Sequence, residues 1–412
     1  MRIAMVGTRG VPARYGGFET AVEEVGARLA DQGHRVVVYC RSASAEGSRP
    51  DRHRGMELVH LPAARRRSLE TLSHSALSVA HLLGHRTDAA ILFNAANAPL
   101  LPAFRAACIP VATHVDGLEW KRAKWGPVGQ RYYRMAEAMA VRWSDALIAD
   151  AQGIADYYRS EFGAPTTLLT YGAPQIHPGS DRLSDLGLEP DGFHLVVARF
   201  EPENHVDLIV DGYRRSSATK PLVVVGSAPY ADAYTREVHR LADDRVVFTG
   251  GVWDQEQLDQ LYAHCLTYLH GHSVGGTNPS LLRAIGAGAA VLAFDVDFNR
   301  EVVADAGRYF SSPADVAALI EAAEADPAAV RLAGQRAREL AKTYDWDDVA
   351  LGYEKLALEL ATRKFPARRP SGRRTELPLP APAVLPFPRT AAADGATELR
   401  PSTAVRTRGA QQ

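Results

Sequence analysis

RIAMVGTRGVPARYGGFET, Arg2 to Thr20, is the stretch that decides the fold. After Arg2 it opens with a short apolar run, the pattern of a strand buried on both faces. It ends by entering a helix: from Glu19 to Gln32, Ala21, Val25 and Leu29 share one stripe, and Gly33 stops it. Between the two lie Gly7, Gly10, Gly16 and Gly17, with Arg9, Pro12 and Arg14. A strand that feeds a helix through a long glycine turn is the first unit of a parallel α/β sheet. The helix N-terminus beyond such a turn favours an anion. The spacing is not G-x-G-x-x-G, and the acid expected about 20 residues further on is absent, since Cys40 and Arg41 stand there. Both departures argue against a nicotinamide cofactor. A tight turn without a ligand would give the same pattern.

Working outward, the alternation continues. RVVVYC (Arg35–Cys40), MELVHLP (Met56–Pro62), AAILFN (Ala89–Asn94), PVATHVD (Pro110–Asp116) and ALIAD (Ala146–Asp150) read as strands with helical segments between them. The pattern breaks at TYGAPQIHPGSD, Thr170–Asp181, where glycine and proline cluster as in a linker. It then restarts with HLVVARF (His194–Phe200), PLVVVG (Pro221–Gly226), RVVFTG (Arg245–Gly250), LTYLHG (Leu266–Gly271) and AAVLAF (Ala289–Phe294). Helices are expected at Asn204–Arg215, Gln255–Cys265 and Pro279–Gly286. The expected organisation is a domain over residues 1–170, a linker over 171–190, a second domain over 191–345, a terminal helix over 346–362 and a disordered tail over 363–412. Two such α/β units bind ligands at the carboxyl ends of their strands, so a cleft between them is the expected site.

The 412 residues suit two domains of ordinary size, about 100–200 residues each. No run approaches the ~18 apolar residues of a membrane span, and the opening residues carry no signal-peptide pattern, so a cytoplasmic protein is expected. Cys40, Cys108 and Cys265 are too far apart in sequence for a metal-ligand spacing or a disulfide framework, and all three are expected to be buried. The net charge of -1 conceals an asymmetry. Residues 1–187 hold 22 Lys and Arg against 18 Asp and Glu, residues 188–362 hold 15 against 27, and residues 363–412 hold 10 against 3. A basic first domain, an acidic second domain and a basic tail suggest different partners for each.

Four further motifs carry chemistry. In ARFEPENH (Ala198–His205), Arg199 directly follows a strand and is placed for bidentate contact with phosphate. Glu201 and Glu203 either hold it or begin the next helix. In HGHSVGGTNPSLLRAIGAGAAVLAFD (His270–Asp295), a glycine-rich loop leads into a helix opened by Asn278, Pro279 and Ser280. The amides of Gly275, Gly276, Thr277 and Asn278 are placed to embrace a second anion. In THVDGLEWKRAKWG (Thr113–Gly126), His114, Asp116 and Glu119 follow a strand, with Trp120 and Trp125 behind and Lys121, Arg122 and Lys124 as a basic rim. Histidine with carboxylates suits proton handling or sugar hydroxyls, and tryptophan suits a sugar face. A solvated helix start would look similar. Asp295-x-Asp297 has a metal-chelating spacing, but no further carboxylate completes it, so loop and helix-cap chemistry is the reading.

Taken in order, GTRGVPARYGGFET, VDGLEWKRAKW, YGA, RFEPENH, VGGTNPSLLRA and FDVDFNREVV resemble the retaining glycosyltransferases of family 4, in their rhamnosyltransferase-like subgroup, over about Met1 to Thr362. The resemblance implies the GT-B fold, two facing Rossmann-like domains. It implies glycosyl transfer from a nucleoside-diphosphate sugar without a metal or other cofactor. His114 or Asp116 would lie near the transferred sugar and Arg199 on the donor diphosphate. Gly16 and Gly17 would face donor and acceptor. The stretch around Asn204 and His205, and the loop and helix over residues 270–284 with Gly275, Gly276, Thr277, Asn278, Ser280 and Arg283, would complete the donor pocket. The helix over Asp345–Leu360 would brace the first domain.

Two departures from the family matter. Where the wider family has a lysine after the arginine, Glu203, Asn204 and His205 stand here. Where it has two glutamates eight residues apart, Gly275 and Arg283 stand here. Arg283 is expected to replace part of the missing charge. Loss of a carboxylate on the ribose removes its reward for two hydroxyls, which makes dTDP-rhamnose the expected donor. A polyprenyl-linked saccharide at the inner membrane face is the expected acceptor, with the basic first domain, the run Ala64–Ser68 and the tail docking on anionic lipid. Nucleic acid is not expected as a partner. Two alternatives stay open: a non-catalytic nucleotide-sugar-binding regulator, and an epimerase on the same fold.

Overall fold

Arg2–Val6 forms β1, and its alternating side chains explain how the first domain is layered. Ile3 and Met5 point to one face, where they pack with Val22, Val25 and Leu29. Ala4 and Val6 point to the other, against Val79, Leu101, Phe104 and Ala140. Both faces must therefore be covered by helices. The chain does this with α1 (Gly17–Asp31), β2 (Arg35–Arg41), β3 (Arg52–His53), β4 (Met56–Leu61), α2 (Arg67–Leu83), β5 (Ala89–Phe93) and α3 (Leu101–Ala106). It continues through β6 (Val111–His114), α4 (Pro127–Trp143), β7 (Ala146–Ala149), α5 (Gln152–Phe162) and β8 (Thr167–Leu168). The sheet order is β3-β4-β2-β1-β5-β6-β7-β8, parallel except where β3 meets β4. The computed structural model describes residues 1–13, 16–42, 50–64, 67–115, 117–226 and 232–364. Asp116, Arg14 and the tail from residue 365 onward lie outside them.

The second domain repeats the plan. Its elements are β9 (His194–Val197), α6 (Val206–Arg215), β10 (Leu222–Val225), α7 (Asp232–Leu241), β11 (Val246–Gly250), α8 (Gln255–His264) and β12 (Thr267–His270). Then come α9 (Pro279–Ala287), β13 (Val291–Phe294), α10 (Asp297–Val303), β14 (Arg308–Phe310), α11 (Pro313–Ala325) and α12 (Pro327–Ala341). The sheet runs β11-β10-β9-β12-β13-β14, with every pairing parallel. Again the faces alternate: Val196 and Val224 pack with Ile209 and Val316, whereas Leu195 and Val223 share a core with Leu281 and Ile285. These two parallel-sheet domains are the architecture expected from the alternation.

α13 (Trp346–Ala361) leaves the second domain and lies on α1 of the first. It starts cleanly because Asp345 caps it, its carboxylate accepting from the Asp347 amide at 2.8 Å. Arg28 meets Asp347 at 2.6 Å and His34 meets Glu354 at 2.8 Å. Where the chain crosses between domains, Gly172 lies so close to the Trp346 ring that a side chain would overlap it, and the Ala173 amide donates to Tyr344 O at 2.7 Å. One apolar cluster therefore runs from the first core through Tyr171 and Trp346 into the second.

The cysteines need one correction. Cys40 and Cys265 are buried as expected, but Cys108 is exposed. It sits at a positive φ of 55° in the turn between α3 and β6, which carries its side chain out of the core.

Candidate functional site

The carboxyl end of β9 builds one wall. Beyond it, Pro202–Asn204 makes a single 3₁₀ turn, and His205, at φ 45°, redirects the chain into α6. That backbone conformation is costly for a residue with a Cβ and is held from two sides. The His205 Nδ1 bonds to Gly271 O at 2.8 Å, and its ring stacks on Phe294 with centroids 4.1 Å apart. Asn204 is buried. Its Nδ2 donates to Arg199 O and its Oδ1 meets His272 Nδ1, both at 2.8 Å. Glu203 O accepts from the Ser273 amide at 2.9 Å and from Ser273 Oγ at 3.1 Å. Arg199–His205 and the loop after β12 are thus one laced unit.

The loop 271–278 then delivers α9. Asn278 caps that helix, its Oδ1 accepting from the Ser280 amide at 2.9 Å, with Pro279 in the first turn. Ser280 Oγ is engaged inward by Tyr262 at 2.5 Å and Tyr268 at 2.8 Å. Arg283 is half-buried and its Nε lies 2.6 Å from Asp259 Oδ1 on α8. Asp295 of the D-x-D is taken by Arg300 at 2.5 and 2.8 Å, whereas Asp297 stands in the first turn of α10 without a side-chain cap bond.

The first domain supplies the opposite wall. His114, the last residue of β6, is buried between Phe93 and Phe18, with centroids 5.6 and 5.0 Å away. Burial pushes its pKa down to about 3, so it is neutral at neutral pH, and its Nδ1 has no hydrogen-bond partner. Three glycines mark where the walls touch. A side chain on Gly117 would overlap the Gly275 backbone, one on Gly276 would overlap the Asp150 carboxylate, and one on Gly17 would lie 3.2 Å from Pro279. Thr277 Oγ1 donates to Asp150 O at 2.6 Å. Gly16 is the N-cap of α1 at φ 114°. The opening turn is partly satisfied from within: the Arg9 amide donates to Glu19 at 3.0 Å and the Ala13 amide to Glu23 at 2.6 Å.

An ion cluster spans the cleft. Arg122 lies 2.5 Å from Glu119, 3.4 Å from Glu203 and 3.8 Å from Glu201. Glu119 also holds Lys124 at 3.0 Å and the Trp125 Nε1 at 3.3 Å, while Glu201 reaches Arg199 at 3.6 Å. Arg199 itself is half-exposed. His272 sits among these cations. Burial, then Arg122, His270, Arg199 and His205, holds its pKa well below 6.5. Because Asn204 Nδ2 is committed to Arg199 O, Asn204 Oδ1 is the acceptor and His272 Nδ1 carries the proton. Nε2 is then an acceptor beside Gly275, where an added Cβ would be 2.8 Å away.

Two family descriptions match the chain in tandem: a glycosyl transferase 4-like domain over residues 16–172, and glycosyl transferases group 1 over residues 185–340. The chain belongs to the GT-B glycosyltransferases. Sucrose-phosphate synthase from Thermosynechococcus elongatus superposes with a TM-score of 0.73 at 20% identity, over 88% of this chain and 99% of that one. HepE from Anabaena in complex with UDP-glucose gives 0.69 at 17%, over 87% and 100%. A trehalose-6-phosphate structure from E. coli bound with UDP-2-fluoro glucose gives 0.63 at 11%, over 88% and 99%. No curated protein matches the chain in sequence.

In this glycosyltransferase, Arg199, Asn204, His205, Gly275, Gly276, Thr277, Asn278 and Ser280 lie on one wall of the cleft. Gly16, Gly17, His114 and Glu119 lie on the other. Arg283 sits one turn into α9, turned toward α8. Sequence reasoning left out His272 and Asp150 and treated Arg122 only as part of a basic rim. The signal for His272 was its place between two glycine-rich segments. Asp150 was readable as the residue directly after a buried strand.

Proposed function

We propose that this glycosyltransferase takes its sugar from a nucleoside-diphosphate donor and passes it, with retention, to a hydroxyl of a polyprenyl-linked saccharide in cell-surface polysaccharide synthesis. Rhamnose from dTDP-rhamnose is the best reading of the donor. The observation that carries the donor half is the laced wall itself. Arg199, the 271–278 loop and the N-terminus of α9 converge where a leaving diphosphate needs positive charge and amide donors. The Anabaena relative was solved with UDP and with UDP-glucose.

The chemistry proposed is front-face substitution. The bond from the anomeric carbon to the diphosphate oxygen breaks, and the acceptor oxygen bonds to the same face. The acceptor proton passes to the departing phosphate oxygen. His114 is neutral and donates or accepts a hydrogen bond to the sugar rather than carrying charge. Arg199 and the loop amides take the leaving charge, so turnover is proposed to survive chelation of divalent metals. Contact between Gly117 and Gly275 would exclude water from the closed cleft.

Support for the deoxynucleotide is the cation at position 283, paired with Asp259, where a carboxylate would reward a ribose with both hydroxyls. Titration calorimetry with dTDP and UDP tests this. Tighter dTDP binding is expected, and a clear UDP preference would overturn it. A donor panel offered with a polyprenyl-linked acceptor, with linkage read by NMR, tests the rest.

A further inference from the structure

The first domain's outer helical layer is unlike the rest of its surface. α2 turns Ser75, Ser78, Val79 and Leu82 inward, which leaves Ala76, Leu77, Ala80 and Leu83 on its outer face. Leu77 and Leu83 are each 44% exposed. α4 does the same: Gln130, Tyr133, Ala136, Glu137 and Ala140 are buried, and Val128, Arg131, Met135 and Arg142 form the outer stripe. Val128 is 83% exposed and Met135 47%. α3, which packs against both helices, exposes Pro102, Arg105 and Ala106.

The carboxylates on and beside this layer are already occupied, with Asp145 held by Arg105 of α3 at 3.7 Å. α2 holds a single carboxylate, Glu70, paired with Arg41 at 3.0 Å; α3 holds none. The one on α4, Glu137, is buried and accepts from Tyr157 OH at 3.0 Å. Arg131 and Arg142 are exposed and, among the described residues, make no ion pair. Arg142 lies over the Trp143 ring at 5.6 Å. Large apolar side chains with unneutralised arginines and no free carboxylate are the composition of a face that lies in a lipid interface. A protein partner would require compensating acids, and a core helix would not expose them. No described helix is long and apolar enough to cross a bilayer, so contact would be interfacial.

We infer that the outer face of α2, α3 and α4 docks on an anionic phospholipid surface. This rests on the reading that the acceptor is lipid-linked, and names the surface that brings the enzyme to it. The N-terminus of α4 follows directly on the Glu119–Lys124 wall of the cleft. A face lying flat on the bilayer therefore keeps the cleft near the membrane plane. The face is argued without the Ala64–Ser68 arginines or the basic tail.

The test is co-sedimentation of the full chain with phosphatidylcholine vesicles, with and without phosphatidylglycerol, at low and high salt. Three double variants are compared: L77Q/L83Q, V128Q/M135Q and R131E/R142E. Wild type is expected to sediment with the anionic vesicles and be released by salt. Each basic residue near such a surface is worth about fivefold in binding, so R131E/R142E is expected to lose on the order of 25-fold or more. The apolar variants are expected to bind weakly at any salt, with melting curves like wild type. Wild type that binds while all three variants bind equally well overturns this face and leaves the lipid-linked acceptor standing. Wild type that ignores anionic vesicles also overturns the inference, while turnover with the polyprenyl-linked acceptor decides the acceptor reading separately. A dimer in light scattering that the variants abolish, with no vesicle binding, assigns the face to a second copy and also overturns the inference.

Discussion

Arg122 and Glu203 meet across the cleft, Nη1 to Oε1 at 3.4 Å, although 81 residues separate them. The glutamate side chain is 3% exposed and its other oxygen has no hydrogen-bond partner. A buried carboxylate with one cation nearby depends on that cation. The second domain thus brings a buried negative group to the cleft, and the first domain answers with Arg122.

Removing Arg122 should be costly to stability. Arg122→Ala strands Glu203, with Glu119 and Glu201 close by, and breaking a buried pair from one side costs about 3 kcal/mol. The double variant Arg122→Ala with Glu203→Gln should lose clearly less than Arg122→Ala alone. Urea unfolding measures both. Strict additivity would mean that the two groups do not couple.

Arg199 should behave in the opposite way. Its side chain is 54% exposed and its ion pair to Glu201 spans 3.6 Å. Arg199→Ala should leave the melting temperature nearly unchanged. Losing a charge-assisted contact to the leaving diphosphate should lower kcat/KM by about ten- to a hundredfold. Arg283→Ala should also weaken donor binding, but less, because Asp259 already holds that guanidinium. Wild-type donor affinity and turnover in Arg283→Ala would remove it from the donor site.

How far the sequence could be read follows from physical distance. Both sheets were legible because each long strand is an apolar run buried on two faces, a local signal. β3, β8 and β14 were not: at two or three residues each they carry no period, and only pairing with a neighbour defines them. Arg199 was legible because it follows a buried strand directly. The Arg122–Glu203 pair was not, since no local pattern brings a loop of one domain to a turn of the other. The glycines show the same divide. For Gly10 the sequence left both a ligand turn and a tight turn open; a side chain there would collide with Cys40, so it serves close packing within the first domain. Gly17 and Gly117 face the other domain, and nothing in their neighbours' sequence distinguishes them.

Gly117 gives a test of closure. A Cβ there would overlap the backbone of Gly275, which has no flexible end to move aside. Gly117→Ala should hold the two walls apart while leaving each sheet intact. Circular dichroism should match wild type, and turnover should fall at least tenfold with a smaller change in donor affinity, as expected when alignment rather than binding is lost. Unchanged turnover would show that the contact is not part of the working state.

The buried histidines set the response to acid. Burial lowers His74 to about 4 and His114 and His270 to about 3, from an ordinary 6.5. Between those values and 6.5 the unfolded chain binds protons that the folded chain refuses, so stability is full above about pH 6.5 and declines as pH falls. Near pH 5 each neutral ring costs roughly 2 kcal/mol, and the three together reach the size of a typical net folding free energy. The melting temperature should therefore be flat above about pH 7 and fall steeply below about pH 6. His74→Gln removes one of the three rings and should shallow the acid limb by close to one proton. An unchanged slope in that variant would mean that the ring is already charged in the folded protein.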